Sequence, residues 1–401
     1  DPKEVSLWLQ RSQRSGVEFT VDIVYDWETA NKIITRFKDE PRIKVEPAAI
    51  RSYLPSPAIS QVIGYTSKVT QEDFASADLA FLWPVQGRAG IELAYDEFLR
   101  GALGKKIVET DSRGRLLGEN VFERERMGRG LVLSVSADLE QEMYDTIGQT
   151  VRQRGFTGGS AVMLDVRSGE VLGMVSYPGF DLTVLARGKP TDAVRKILAD
   201  PEHPLFNRAL AGTYPPGSTV KPFIATAAVE EHIIDPAQDI FTIGKILVPN
   251  PYDPKHPSVF PDWKDHGWVN MYKAIAVSSN AYFYTIGGGA NGITGLGLSR
   301  LQKYFGSYGF GSPTGVDIPG EEAGLVPGQT WKAKNNPQDP DWRIGDTYHM
   351  SIGQGGMLVT PLQMARALTA LVGAGEVVKP RLLHGYIRAD GSVEPAGERE
   401  V

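Results

Sequence analysis

Apolar residues recur near helical spacing from Glu28 to Phe37, just after the strand-like run Val21-Asp22-Ile23-Val24, and the pair reads as part of a small α+β unit. Glycines then gather at Gly87, Gly90, Gly101 and Gly104, and a charged, turn-rich stretch follows from Glu109 to Gly118 with Ser112-Arg113-Gly114 as its turn. The run Met127-Gly128-Arg129-Gly130, ahead of the strand-like Leu131 to Val135, is the candidate domain boundary. Beyond it, Asp138 with Gln141 three residues on has the spacing of a capping box and predicts a helix with Leu139, Met143, Ile147 and Val151 on one face. Two β-rich runs, Ala161 to Val166 and Glu170 to Tyr177, flank the turn Arg167-Ser168-Gly169 and predict a hairpin. Near the end, Thr360-Pro361-Leu362-Gln363 combines an N-cap, a first-turn proline and a third-position Gln ahead of an apolar helix from Met364 to Val372. The whole is α+β, divided into residues 1–127 and 128–401.

At roughly 100 to 200 residues per domain, 401 residues also suggest two domains. Hydrophobic residues at 41% and charged residues at 22% are ordinary globular usage, and a net charge of −6 argues against nucleic acid as a partner. The absence of cysteine excludes a disulfide scaffold, a Cys-ligated metal and a thiol nucleophile. No apolar run reaches the roughly 18 residues that a membrane span requires. The first residues, Asp-Pro-Lys-Glu, carry neither a start Met nor a signal peptide, and both ends look cut.

Familiar glycine motifs fail on their flanks. Gly287, Gly289 and Gly292 fit GxGxxG, but they follow the helical Ala281-Tyr282-Phe283-Tyr284 and read as a helix stop and loop. Gly212 and Gly217 have P-loop spacing, yet Ser218 follows in place of Lys, and Pro215 and Pro216 lack the N–H groups that cradle phosphate. GxSxG is absent.

There remains Ser218-Thr219-Val220-Lys221 between Tyr214-Pro215-Pro216-Gly217 and Pro222-Phe223. Pro222 cannot donate to a carbonyl four residues back, so a helix running to about Ala228 must begin near Ser218. Lys221 then lies one turn on, and a neutral amine there would take the serine proton while first-turn N–H groups face an oxyanion. An N-cap serine with a solvated lysine has the same spacing. The second polar cluster, Ser278-Ser279-Asn280, interrupts an apolar pattern: it suits a turn between helices, and equally a hydroxyl that relays a proton beside an amide that holds a peptide.

Taken with their flanks, these motifs acquire a family. Pro204 to Phe223 resembles the active-site segment of class B penicillin-binding proteins, and Ala276 to Tyr284 resembles their S-x-N segment. Ser351-Ile352-Gly353-Gln354-Gly355 with Val359 to Ala365 is most similar to the penicillin-binding protein 2 group of elongation transpeptidases. Val62 to Tyr65 and Gly87 to Glu92 resemble that family's non-catalytic pedestal.

The resemblance implies a pedestal over 1–127 and, over 128–401, a transpeptidase domain with a central antiparallel sheet flanked by helices. It implies that Ser218 is the nucleophile, Lys221 its base, Ser278 the proton relay and Asn280 the substrate-orienting amide, with no cofactor. The implied substrates are peptidoglycan stem peptides, with β-lactams as mimics. Implied partners are a SEDS-family membrane glycosyltransferase and rod-shape scaffold proteins, on the periplasmic side of a bacterial inner membrane. The alternative is a penicillin-recognising sensor or scaffold that does not turn over. The family's Lys-Thr/Ser-Gly triplet is absent after the Thr360 helix, and its anchor helix and first pedestal part are expected before Asp1. Some relatives are thought to bind zinc through Asp, His and a Cys inside the S-x-N triplet. This chain has Ser279 there, so the loop carrying Asp253, His256, Asp262, Asp265 and His266 is expected to make ordinary hydrogen bonds and hold no metal.

Overall fold

The structure, a computed structural model, describes residues 23–40, 43–47, 50–69, 85–111, 116–249, 255–397 and 400. Val21, Asp22, the turn Ser112-Arg113-Gly114 and Asp253 lie outside them, and Ile23 and Val24 form no strand. The chain divides into two compact units, one of Asp1–Leu131, Pro178–Leu205 and Ile387–Gly391, the other of Val132–Tyr177, Phe206–Tyr386 and Ser392–Val401. The first unit is therefore discontinuous, which a single cut between 127 and 128 does not capture. Among the described residues no helix is long and apolar enough to cross a membrane.

In the first unit the helix Trp27–Arg36 starts on Asp26, whose side chain accepts from Thr29 N at 2.7 Å, one residue ahead of the expected span. The short strands Thr66–Lys68 and Val85–Gly87 pair antiparallel with Thr66 opposite Gly87. Glu92 is buried beside them and is held by Arg51 Nε at 2.9 Å. Ile59 packs with Phe180, Leu182 and Leu185 in a small core flanked by Val194 and Ile197. The helices Leu182–Arg187 and Thr191–Ala199 thus fold with residues more than a hundred positions upstream. A long antiparallel hairpin, Lys105–Thr110 with Leu116–Glu123, completes the unit.

The second unit is built on the expected hairpin, Gly159–Leu164 paired antiparallel with Val171–Tyr177. A three-stranded sheet in the order Val393–Pro395, Leu383–Ile387, Leu131–Leu133 lies beside it, joined where Val171 N donates to Arg381 O at 2.9 Å and Ser134 Oγ to Val171 O at 2.7 Å. The helix Ala137–Arg154 lies close on the hairpin because glycine faces side chain at three points: a Cβ on Gly173 would meet Met143 Sδ, one on Gly159 would meet Ile147, and one on Gly148 would meet Tyr177. Its predicted apolar face is correct, but its cap is not. Ser136, not Asp138, accepts from Leu139 N at 3.5 Å.

The larger core gathers around the helices Lys221–Glu230 and Asn280–Gly288, with Phe223, Ile224, Tyr282, Phe283, Phe305 and Tyr348 buried in it. Gly289, at φ 94°, ends the second of these helices, as the GxGxxG flanks implied.

Candidate active site

Ser218 sits in a single 3₁₀ turn, Gly217–Val220, that leads into the helix Lys221–Glu230. Two strands of loop clamp this lead-in from outside. Tyr214 N donates to Val359 O and Val359 N returns the bond to Tyr214 O, both at 2.9 Å, while Gly217 N donates to Gly353 O at 2.9 Å. Gly217 takes φ 57°, a left-handed conformation in which glycine carries no steric penalty. The turn leaves Ser218 exposed and, one turn on, turns Lys221 inward to 2% exposure.

Ser278 lies in the gap between the helices Met271–Ala276 and Asn280–Gly288. It takes φ 54°, a conformation that costs a non-glycine residue free energy and persists only where surrounding contacts hold it. Those contacts are on hand. Lys221 Nζ donates to Ser278 O at 2.8 Å, to Ser278 Oγ at 3.0 Å and to Asn280 Oδ1 at 2.8 Å. The structure therefore brings Lys221, Ser278 and Asn280 into direct contact, and places Ser218 three residues before the lysine in the exposed lead-in turn.

An ammonium has three N–H donors, and these acceptors use all three. A neutral amine has two donors and a lone pair. Ser278 O and Asn280 Oδ1 accept here, so the lone pair falls to a hydroxyl, the only group in the set able to donate back. Burial lowers the Lys221 amine to about 8, against an upward pull from the carboxylate of Asp262. The Phe283 ring, its centroid 5.4 Å from Nζ, closes the apolar side.

Asp262 and Trp263 carry more of this site than the sequence disclosed. Asp262 Oδ2 accepts from Ser279 Oγ at 2.8 Å and from Ala281 N at 2.9 Å, and Trp263 Nε1 donates to Ser278 O at 3.3 Å. Aromatic and acidic residues in a proline-rich loop are the only signal in the sequence, and they point to Asp262 solely as a metal ligand. The donor set does not fit a metal: Ser279 replaces the thiolate and its hydroxyl spends its proton on Asp262, Asp265 Oδ1 accepts from Gly267 N at 3.1 Å, and among the described residues no three His, Asp or Glu side chains converge.

The profile of the penicillin binding protein transpeptidase domain matches residues 159–400, and that of the penicillin-binding protein dimerisation domain matches residues 1–133. The chain belongs to the penicillin-binding protein transpeptidase family. This penicillin-binding protein chain has the two-domain architecture of that family. It is 32% identical over 388 residues to the peptidoglycan D,D-transpeptidase MrdA of Haemophilus influenzae, covering 94% of this chain and 56% of the relative. It superposes with a TM-score of 0.75 and 29% identity on penicillin-binding protein 2 of Helicobacter pylori, solved in complex with MreC, covering 94% of this chain and 66% of the other. A chain of a peptidoglycan synthase complex, solved for its coordination of polymerization and crosslinking, matches with a TM-score of 0.69 and 25% identity over 99% of this chain and 69% of that one. The resemblance to the penicillin-binding protein 2 group is borne out. The chain spans about half the length of the curated relatives it matches.

Proposed function

We propose that the protein of which this chain is part is a serine-type peptidoglycan D,D-transpeptidase that cross-links stem peptides during cell elongation. The observation that carries the reading is the buried Lys221 amine, bonded to Ser278 and Asn280 and set one turn behind the more open Ser218. Ser218 Oγ attacks the penultimate D-alanine carbonyl, and its proton passes to the neutral Lys221 amine as the Ser278 hydroxyl gives up the lone pair. The C–N bond breaks, and terminal D-alanine leaves with that proton, relayed through Ser278. An amine of a neighbouring strand then attacks the acyl ester, forms the new amide and returns a proton to Ser218 Oγ. Asn280 orients the peptide, and N–H groups of the first helical turn face the oxyanion. A β-lactam presents the same carbonyl without a departing group and leaves Ser218 acylated.

Residues 1–127 act as a non-catalytic pedestal for the catalytic residues 128–401, on the periplasmic side of the inner membrane. The relatives solved with MreC and within a peptidoglycan synthase complex favour a rod-shape scaffold protein and a SEDS-family glycosyltransferase as partners.

Intact-mass spectrometry and peptide mapping of the full-length protein after exposure to penicillin test the reading, with a single penicilloyl group on Ser218 expected. Label elsewhere, or label that survives Ser218→Ala, overturns it. A labelled protein that makes no cross-linked dimer from peptidoglycan strands would be the non-turnover sensor instead.

A further inference from the structure

The residues that hold Lys221 are themselves held from one point. Asp262 is fully buried at its side chain, yet it lies in a loop outside both helices that flank the S-x-N residues. Its Oδ2 takes the Ser279 hydroxyl at 2.8 Å and the Ala281 N–H at 2.9 Å, so it grips the chain on either side of Asn280. Its Oδ1 takes the backbone N–H of Trp263 at 2.8 Å, and the indole of that same residue donates to Ser278 O. That carbonyl is the same one that accepts from Lys221. Ser279 in turn accepts from Tyr282 N at 3.3 Å and caps the helix Asn280–Gly288. One carboxylate thus takes three hydrogen bonds from the residues that surround the left-handed Ser278.

We propose that Asp262 is a positioning residue for the reaction: its buried carboxylate pins Ser279 and the Ala281 amide, and so holds the Ser278–Asn280 turn against the Lys221 amine without a metal. This rests on the acyl-serine reading given above. It follows from charge as well as from shape. A buried anion near an amine favours the ammonium, and Asp262 is the group that opposes the burial of Lys221. The ionisable groups that face this carboxylate are Lys221 from its helix, His266, whose Nε2 is 3.8 Å from Oδ2, and the Tyr284 phenol, which donates to Pro261 O at 3.4 Å. His266 Nε2 is buried and makes no hydrogen bond to Asp262, which leaves the carboxylate's bonds to Ser279, Ala281 and Trp263.

The test is made in the full-length protein with Asp262→Asn, Ser279→Ala and His266→Gln. Each is titrated by NMR with ¹³C-labelled lysine, the Lys221 signal being assigned by its loss in Lys221→Met, and each is timed for acylation by a fluorescent penicillin. The Lys221 midpoint is expected to fall in Asp262→Asn and to stay in place in the other two. Ser279→Ala is expected to acylate about tenfold more slowly, because Asp262 loses one of its two grips on the turn. A folded Asp262→Asn protein with an unmoved Lys221 midpoint overturns the proposal, and so does a midpoint that follows His266→Gln. If Asp262→Asn does not melt cooperatively, Ser279→Ala decides: wild-type acylation overturns the proposal, and a tenfold loss with an unmoved midpoint supports it. A midpoint that shifts as expected in a protein whose wild type is never acylated supports the role of Asp262 and defeats the acyl-serine reading.

Discussion

Lys221 Nζ stands 3.0 Å from Ser278 Oγ and 2.8 Å from the carbonyl oxygen of the same residue, so one serine presents two oxygens to one amine. Ser278 takes φ 54°, a costly conformation for a non-glycine residue, and in it both of its oxygens stand on the amine. The strain has a use, since the carbonyl is a fixed acceptor and leaves the hydroxyl as the exchangeable partner. Whichever protonation state Lys221 adopts, the carbonyl bond stays, and the bond to Ser278 Oγ reverses.

Arg at position 221 would keep its charge under all these conditions and has no lone pair to accept a proton. Lys221→Arg is therefore expected to slow acylation by at least about a hundredfold, the usual yield of a positioned general base. Stopped-flow measurement with a chromogenic β-lactam checks this, and a rate near that of wild type would remove Lys221 from the mechanism.

The pH dependence follows from the same amine. With Lys221 at about 8, the reactive neutral form is the minority below that value and grows as pH rises. The rate of acylation is expected to climb nearly tenfold per pH unit up to about pH 7 and to level off above about 8. A rate that is flat from pH 5 to 7 would mean that proton transfer to Lys221 does not limit acylation.

Gly353 backs the nucleophile turn. It takes φ 70°, and a Cβ there would lie 2.2 Å from Gly217 O and 2.7 Å from Gly217 N, the residue before Ser218. Gly353→Ala is expected to lower acylation more than tenfold and to cost more than the roughly 1–3 kcal/mol of left-handed backbone strain. Gly375, at φ 91° with nothing within 4 Å of where a methyl would stand, is the control. Equal melting temperatures and equal acylation rates for Gly353→Ala and Gly375→Ala would show that the contact with Gly217 is unimportant.

Local signals in the sequence translated directly into structure where one turn of chain decides the outcome. Thr360 and Gln363 make both reciprocal capping bonds, at 3.1 and 2.9 Å, because the partners are only three residues apart. Ser136 and Asp138 show the limit of that logic: both can cap, and only the path of the preceding strand selects Ser136. The pairing of Lys221 with Ser278 was legible through the family's motifs, whereas the spacing of either motif alone also suits a plain cap or turn. The grip of Asp262 on Ser279 was hidden, since it joins residues 17 positions apart with a strand and a helix between them. So was the return of Phe180 to Ser60, 120 positions upstream, because a buried Phe looks alike in either unit.

Glu140 gives a prediction about stability that is independent of the active site. Its side chain is buried under the hairpin, Oε1 accepts from Met174 N at 2.8 Å, and Oε2 has no partner. Burial pushes its carboxyl up to about 7, and the Met174 N–H bond only partly opposes this. A carboxyl raised in the folded state binds its proton more tightly there than in the unfolded chain. Its favourable contribution is therefore complete below the unfolded value of about 4.5, and it is lost as pH rises through about 7. Glu140→Gln keeps the shape and an acceptor oxygen but cannot ionise. The variant is expected to match wild type near pH 5 within about 1 kcal/mol and to gain on it steadily toward pH 8, by up to about 3 kcal/mol. Paired thermal melts from pH 5 to 8 measure the difference. A gap between the two proteins that stays constant over that range would place Glu140 in the same protonation state throughout and would refute the assignment.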